Sequence, residues 1–310
     1  MMEKIAVSLN HITKTYDKGK VLAVDDVSLQ VKQGELFGLI GPDGAGKTSI
    51  FRILTTLLLA NGGTANVAGY DLVKDFREIR NRVGYMPGKF SLYQDLTIQE
   101  NLDFFANVFG TSMAQNYELI QDIYDQIKPF KDRRAGKLSG GMKQKLALCC
   151  ALIHKPEVLL LDEPTTGVDV VSRKEFWDML KRLKQQGITI LVSTPYMDEA
   201  KLCERIALMQ QGRLMSVNTP DNIVKDFPAK LYAVKSKNVY ALLIDLRQLA
   251  EVQSCYAFGE FLHVTLKSDK VDGEDWLRHV AERKGHEQVL VKLIEPSIED
   301  SFIRLMNEEE

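Results

Sequence analysis

The sequence predicts an α/β fold followed by a smaller α+β domain, and three observations carry this prediction. From residue 5 to about residue 217, short β-like runs alternate with longer helical ones. The runs LFGLI (36–40) and VLLL (158–161) are apolar throughout, as expected of strands that are buried on both faces. The pattern changes after TPDNIV. We therefore predict one domain over residues 1–220 and a second over residues 228–310.

The elements can be assigned in order along the chain. A polar, aromatic and helix-leaning section at about 88–154 is typical of a helical subdomain inserted between strands. Gln211 and Gly212 mark the turn of a hairpin that ends the first domain. In the second domain we expect a strand (LYAVKS), a helix (NVYALLIDLRQLAE), a hairpin turning near Gly259, a helix, a strand (QVLVKLI) and a last helix. Ser297 and Asp300 form a capping box for that last helix.

Composition excludes several classes of protein. Of the 310 residues, 45% are hydrophobic and 26% are charged, and the formal net charge is −2, so nothing favours nonspecific binding of nucleic acid. The longest apolar run, LALCCALI at 146–153, is far shorter than the roughly 18 residues of a membrane span. The start of the sequence has no signal-peptide pattern, and four cysteines without a CxxC pair suit a reducing compartment. We expect a cytoplasmic location and no nucleic-acid partner.

A phosphate-binding loop stands between a predicted strand and a predicted helix. GPDGAGKT (41–48) fits the pattern GxxxxGK[ST], in which glycines let successive backbone N–H groups face an anion at the start of a helix. This pattern predicts a phosphorylated nucleotide and Mg²⁺ as ligands, with Lys47 on the β- and γ-phosphates and Thr48 on the metal. The candidate nucleotide-binding residues are Gly41, Pro42, Asp43, Gly44, Ala45, Gly46, Lys47, Thr48 and Ser49.

Two adjacent carboxylates end the apolar strand VLLLDEP (158–164). Asp162 is placed to hold Mg²⁺, and Glu163 is placed to orient or deprotonate an attacking water. Helix capping is a poor alternative explanation for this pair, because Pro164 and a TTGVD turn follow at once.

A second potential anion site is LSGGMKQK (138–145), where Ser139, Gly140 and Gly141 open a helix without a lysine of their own. A plain N-cap explains the serine but not the two glycines.

With the phosphate loop, the LSGG motif and the DE strand in this order, residues 4–220 resemble the ATP-binding subunit of an ABC transporter. Four segments resemble the drug-efflux class, the YbhF- and DrrA-like group. They are GPDGAGKT, GYMP-KFSLYQDLT, AGKLSGGMKQKL and the terminal EPSIEDSFIRL. The resemblance implies a P-loop NTPase core with an inserted helical subdomain and an N-terminal antiparallel β part. It also implies a head-to-tail pair of ATPase subunits that powers an integral membrane permease at the inner face of the plasma membrane.

The resemblance also assigns roles to single residues. Tyr16 would stack on adenine, and Asp169 would lie at the dimer interface. Ser139, Gly140 and Gly141 would contact the γ-phosphate bound by the partner subunit.

Two positions depart from the family pattern. Gly88 replaces a glutamine that contacts the metal or water in the family, and Pro195 replaces a histidine that contacts the γ-phosphate. None of the five histidines lies near residue 195 in the sequence, and Gln94 is too far from residue 88 to replace the glutamine. The Thr194 hydroxyl is a weak candidate substitute for the histidine. We therefore expect good binding of Mg-ATP, slow hydrolysis, and either a heterodimer with a more active subunit or a slow homodimer.

The sequence leaves open two alternatives to a transport ATPase, both from other functional classes. One is a regulatory subunit that ATP clamps into a dimer without hydrolysis, which the two departures favour and the retained Glu163 opposes. The other is a soluble ABC ATPase acting in DNA repair or on ribosomes. The span from Lys47 to Ser139 contains no heptads, and the chain has one phosphate loop, which argues against both of those types.

Overall fold

The computed structural model describes residues 4–268 and 272–308 of the chain. The chain divides into two compact units, Met1–Pro220 and Asp221–Glu310. The second unit starts at Asp221, within the helix Pro220–Lys225, and Ser301 Oγ of this unit donates to the Ile223 carbonyl oxygen over 3.3 Å.

The first unit is built around a six-stranded sheet in the order β10-β9-β3-β8-β7-β6. All neighbours pair in parallel except β9 and β10, which form the predicted hairpin. Because the strands are parallel, the carboxyl ends of β3, β7 and β8 meet at one edge, where Ile40 pairs with Thr194 and Asp162 with Ser193. The strands are β3 (Leu36–Ile40), β6 (Val83–Met86), β7 (Val158–Asp162), β8 (Thr189–Thr194), β9 (Arg205–Gln210) and β10 (Arg213–Asn218).

An antiparallel sheet in the order β2-β1-β4-β5 forms the N-terminal part of this unit. Its strands are β1 (Ile5–Tyr16), β2 (Val21–Lys32), β4 (Gly62–Val67) and β5 (Tyr70–Asp71). Along the chain, helix α1 (Lys47–Leu54) precedes β4 and helix α2 (Phe76–Arg82) follows β5. Side chains of both sheets and of α1 share one core, in which Val7, Phe37 and Phe51 are completely buried. Burial of this apolar surface fixes α1, and with it the loop before α1, against the sheet ends.

The inserted section is helical, as predicted. It contains α3 (Ile98–Val108), α4 (Tyr117–Ile127) and α5 (Gly140–Leu152), and α6 (Val170–Gln185) follows β7. Thr97 and Glu100 form a capping box that fixes the start of α3. In the part of the chain that the structure covers, no helix combines the length and apolarity needed to cross a bilayer. The predicted α/β fold, with its helical insertion and antiparallel part, is confirmed.

The second unit packs two helices on one four-stranded antiparallel sheet in the order β12-β13-β11-β14. The capping box predicted from Ser297 and Asp300 is present: Ser297 N–H donates to Asp300 Oδ2 (2.7 Å) and Asp300 N–H to Ser297 Oγ (3.3 Å). The elements are α7 (Pro220–Lys225), β11 (Leu231–Lys235), α8 (Val239–Arg247), β12 (Val252–Phe258), β13 (Phe261–Leu266), α9 (Gly273–Arg283), β14 (Leu290–Ile294) and α10 (Ile298–Glu308).

Candidate active site

The phosphate loop connects β3 to α1, and its glycines are required by close backbone contacts. A Cβ at Gly41 would lie 2.1 Å from the carbonyl oxygen of Met209. Gly46 has φ of +103°, and a Cβ there would lie 2.2 Å from the carbonyl oxygen of Ala23. Side chains at either position would push the loop off the sheet, so the loop keeps its curled backbone only with glycine. Asp43 and Gly44 are exposed at its tip.

Lys47 is the buried cation of the site. Its side chain is 3% exposed, and its Nζ donates to the carbonyl oxygens of Gly41 (2.7 Å) and Pro42 (2.9 Å). The same Nζ lies 3.4 Å from Glu163 Oε1. A buried ammonium is stable only with such partners, and the carboxylate supplies the compensating charge. The lysine therefore reaches across the loop toward the end of β7.

Hydroxyl groups from two other elements converge on Asp162. Thr48 Oγ1, on the first turn of α1, donates to Asp162 Oδ1 over 3.2 Å, and Ser193 Oγ donates to the same oxygen over 2.6 Å. Within the described chain, no group of three or more His, Cys, Asp or Glu side chains is arranged to hold a metal by itself. Mg²⁺ is commonly held by one or two protein oxygens together with phosphate oxygens, and Thr48 with Asp162 fits that donor set.

Glu163 has a left-handed backbone with φ of +49°, which is uncommon for a residue with a side chain. Its N–H is shared between the carbonyl oxygen (3.0 Å) and the hydroxyl (3.0 Å) of Ser193. Such strain is maintained only where surrounding contacts enforce it, and it occurs often at functional sites. Here it accompanies a carboxylate directed toward Lys47.

Gly88 lies directly against the carboxylate pair. A Cβ at this position would be 3.1 Å from the carbonyl oxygen of Asp162 and 3.7 Å from Glu163 Cβ. Residue 88 therefore lies at the site, but the glutamine side chain of the family pattern is absent from it. Gln94 does not replace it, because its side chain packs at Gly136, where a Cβ would lie 3.7 Å from Gln94 Oε1.

Comparison with known proteins identifies the family of this chain. Residues 24–166 match the family described as ABC transporter. Over 310 aligned residues the chain is 36% identical to the probable multidrug ABC transporter ATP-binding protein YbhF of Escherichia coli, covering 98% of this chain and 53% of that protein. It is 34% identical over 314 residues to the Nod factor export ATP-binding protein I of a Rhizobium species, covering 99% of both. The chain belongs to the ATP-binding proteins of ABC transporters.

One solved structure shows the same cassette fold. A dimeric ATP-binding cassette in a post-hydrolysis state, bound to ADP and Pi, superimposes with a TM-score of 0.62 and 26% identity over 69% of this chain and 98% of that one. The chain spans about half the length of YbhF.

In this ABC protein β8 ends at Thr194, directly before Pro195, and the Thr194 side chain has other partners than we expected. Thr194 is completely buried, its hydroxyl donates to Glu199 Oε2 (2.5 Å), and it accepts from the N–H of Tyr196 (3.1 Å). Arg173 of α6 lies 3.6 Å from the other oxygen of Glu199. The expectation that Thr194 substitutes for the missing histidine is therefore wrong, because its hydroxyl is committed to the interior.

The signature segment and the start of α6 form one packed cluster. Ser139 caps α5, and its Oγ accepts from the N–H of Met142 over 3.4 Å. A Cβ on Gly141 would lie 2.8 Å from Ser172 Oγ, so this glycine is also needed for helix packing. Asp169 caps α6 by accepting from the Ser172 N–H (3.0 Å), which lowers the pKa of its carboxyl. The role of these residues toward a partner subunit stays a prediction.

Tyr16 lies at the end of β1, and its hydroxyl is 3.1 Å from Ser49 Oγ on α1. The structure thus places the tyrosine beside the helix that follows the phosphate loop. Stacking of its ring on adenine stays a prediction.

Sequence reasoning missed an apolar groove of about 490 Å³ between β6 and the helices α3 and α5. His154 lies in it, stacked on Phe109 with ring centroids 3.8 Å apart. Burial lowers the pKa of His154 to about 4 and raises that of Tyr85, also in the groove, to about 12. Leu57 and Val108 line the groove and are more than half exposed, at 61% and 60%. No local motif predicts the groove, because the residues that line it come from distant parts of the chain.

Proposed function

We propose that this chain is the ATP-binding and ATP-hydrolysing subunit of an efflux transporter and powers a separate integral membrane permease. The observation that carries the proposal is the convergence of Lys47, Thr48, Asp162 and Glu163 at one edge of the sheet. Lys47 Nζ lies 3.4 Å from Glu163, and Thr48 Oγ1 lies 3.2 Å from Asp162. Phosphate binding, metal binding and activation of water need these groups together.

Each group has a distinct role in the proposed reaction. Backbone N–H groups of the loop and Lys47 hold the phosphates, and Thr48 with Asp162 would hold Mg²⁺. The metal, when bound, neutralises charge on the β- and γ-phosphates. Glu163 compensates the buried lysine in the free site, at 3.4 Å. An arriving phosphate takes over that compensation and releases Glu163 to orient or deprotonate the attacking water.

Turnover at this site is expected to be slow because residues 88 and 195 are Gly and Pro. Loss of one preorganised donor to the transition state costs about 10²–10³ in rate. The two losses act on the same phosphate and water, so their effects need not add. Binding of Mg-ATP depends on the loop, Lys47 and the proposed metal ligands, which the chain retains, and is expected to be affected much less.

We expect this chain to pair with a second ABC ATPase subunit. The chain keeps Ser139, Gly140 and Gly141, which would complete an ATP site on the partner subunit. A partner that carries the missing glutamine and histidine gives a heterodimer with one slow and one fast site. The retained Glu163 also supports the alternative of a slow homodimer, and the dimeric cassette with ADP and Pi is a precedent for pairing.

The permease is expected to dock at the apolar groove between β6, α3 and α5, where exposed Leu57 and Val108 would be covered. Docking would hold the chain at the inner face of the plasma membrane. The efflux direction is supported by the name of one relative, a Nod factor export protein.

A regulatory subunit that binds ATP without hydrolysis is the second candidate, and the absence of donors at Gly88 and Pro195 favours it. Glu163 would then be dispensable. Turnover that falls on Glu163→Gln substitution, alone or with a partner subunit, would eliminate this candidate.

The decisive experiment recovers a tagged Glu163→Gln chain from membranes with and without Mg-ATP and identifies the bound proteins. Recovery of a permease and a second ATPase with the missing Gln and His supports the heterodimer. Recovery of the chain itself with a permease supports the homodimer. Absence of any permease in the presence of Mg-ATP contradicts the transport function.

A further inference from the structure

Ser193 contacts both carboxylate residues of the site. It is the penultimate residue of β8 and is completely buried. Its hydroxyl donates to Asp162 Oδ1 over 2.6 Å and accepts from the Glu163 N–H over 3.0 Å. One hydroxyl thus joins the predicted metal ligand to the backbone of the predicted base.

The bond to Asp162 fixes the direction of its carboxylate. A hydroxyl that donates to a charged oxygen at this distance makes a strong hydrogen bond. Thr48 Oγ1 donates to the same oxygen over 3.2 Å, so α1 and β8 hold Asp162 from two sides. Partners that orient a metal ligand in this way commonly change metal affinity by about 10- to 100-fold when they are removed.

The bond from Glu163 supports its unusual backbone. With φ of +49°, Glu163 depends on its surroundings to stay in the left-handed region. Its N–H has two acceptors, the carbonyl oxygen and the hydroxyl of Ser193, each at 3.0 Å. Removal of the hydroxyl leaves one acceptor and weakens the restraint on the carboxylate that faces Lys47.

We propose that Ser193 is a positioning residue for ATP hydrolysis, which holds the Asp162 carboxylate for the cation and the Glu163 backbone for the attacking water. The inference rests on the proposed function. It assigns to β8 a contribution to the site that does not depend on residue 195. The strand therefore still serves the reaction in a chain with Pro195.

The strand itself supplies a matched control. Thr189 begins β8, is 1% exposed, and its hydroxyl accepts from the Gly34 N–H over 2.9 Å. A Thr189→Val substitution removes a buried hydroxyl from the same strand at the end away from Asp162. Any general loss of strand stability should affect Thr189→Val as well as Ser193→Ala.

The test measures binding of a fluorescent, non-hydrolysable ATP analogue to the full-length chain while Mg²⁺ is titrated. For Ser193→Ala we expect half-maximal binding at about 10- to 100-fold higher Mg²⁺ than for the original chain. Binding in EDTA should be unchanged, and Thr189→Val should match the original chain in both conditions. Ser193→Thr keeps the hydroxyl and should recover much of the Mg²⁺ response. At saturating Mg²⁺, Ser193→Ala should lower kcat more than it changes KM.

Three results would overturn the proposal. The first is an unchanged Mg²⁺ titration and kcat for Ser193→Ala. The second is an equal loss for Ser193→Ala and Thr189→Val, which indicates a general effect on folding. The third is failure of the original chain to bind the analogue with or without Mg²⁺, which refutes the proposed function itself and is recognised before any variant is compared.

Discussion

Lys47 Nζ lies 3.4 Å from Glu163 Oε1, so the cation of the phosphate loop and the predicted base contact each other in the same site. Lys47 is 3% exposed and Glu163 23% exposed, which means that the pair is largely shielded from water. In such surroundings an unpaired ammonium is costly, and the carboxylate stabilises it until phosphate arrives. The contact links nucleotide binding to release of the base.

Glu163→Gln should abolish most hydrolysis while it leaves binding of Mg-ATP intact. A general base contributes about 10²–10⁴ in rate, and glutamine cannot accept the proton. The amide oxygen can still face Lys47, so the loop should keep its shape. Steady-state turnover and equilibrium ATP binding test the two halves of this expectation.

Glu157→Gln is the control, because Glu157 is exposed and immediately precedes β7 at the opposite end from Glu163. Equal turnover in both variants would remove Glu163 from the reaction.

Gly88→Gln combined with Pro195→His should raise turnover, by about 10²-fold if each restores a donor to the transition state. Residue 88 is positioned for this effect, since its Cβ would lie 3.7 Å from Glu163 Cβ. The contact of that Cβ with the Asp162 carbonyl, at 3.1 Å, requires a small backbone shift. Turnover is measured with the purified chain alone.

The control for this pair is Gly88→Ala with Pro195→Ala, which introduces the same backbone changes without the polar groups. We expect no gain in turnover from it and a small loss of stability from the close contact at residue 88. A Gln/His variant no faster than the Ala/Ala variant would show that these two positions do not limit the rate.

Local motifs account for the parts of the structure that the sequence predicted well. The phosphate loop, the carboxylate pair and the hairpin at Gln211 and Gly212 depend on neighbouring residues, whose chemistry allows few backbone conformations. Gln211 and Gly212 both have positive φ, at 46° and 85°, as a tight hairpin turn requires. The Ser297 and Asp300 capping box is similarly local.

Contacts between distant residues could not be predicted in the same way. Ser193 reaches Asp162 because β7 and β8 are neighbours in register, and the sequence of strands that are buried on both faces does not specify that register. Thr194 appeared to be near the phosphate by its position in the chain. Its side chain points instead to Glu199, and only the packing of β8 against the following turn reveals this.

Gly141→Ala should lower the free energy of unfolding by about 1–2 kcal/mol, because overpacking against Ser172 Oγ, 2.8 Å from the Cβ position, outweighs the gain of about 0.5–1 kcal/mol from alanine in a helix. Adding Ser172→Gly should recover part of the loss, because it removes the contact but places a glycine in α6, and the N–H of residue 172 still caps on Asp169. If Gly141 also approaches the partner's phosphate, the double variant should regain stability but not turnover. Urea unfolding and ATPase assays on the same samples separate the two roles. Full recovery of turnover would assign Gly141 to packing alone.

His154 should make the first unit less stable in mild acid. The folded pKa of about 4 lies below the usual value of 6.5, because burial disfavours the charged ring. The unfolded chain therefore takes up a proton that the folded chain does not, and stability falls as pH drops from about 6.5 to about 4. Between pH 7.5 and pH 5 this amounts to about 2 kcal/mol.

The variant His154→Phe tests this pH dependence. Phenylalanine keeps the stacking on Phe109 and removes the titrating group, although it loses the bond from Nε2 to the Val83 carbonyl (3.2 Å) and should be less stable at every pH. The informative quantity is thus the difference in unfolding free energy between pH 7.5 and pH 5, which should shrink by about 2 kcal/mol. Urea unfolding followed by fluorescence of Trp177, buried in the first unit, provides it in a Trp276→Phe background. An identical pH response with and without His154 would place the acid sensitivity elsewhere, because a group that is absent cannot bind the proton.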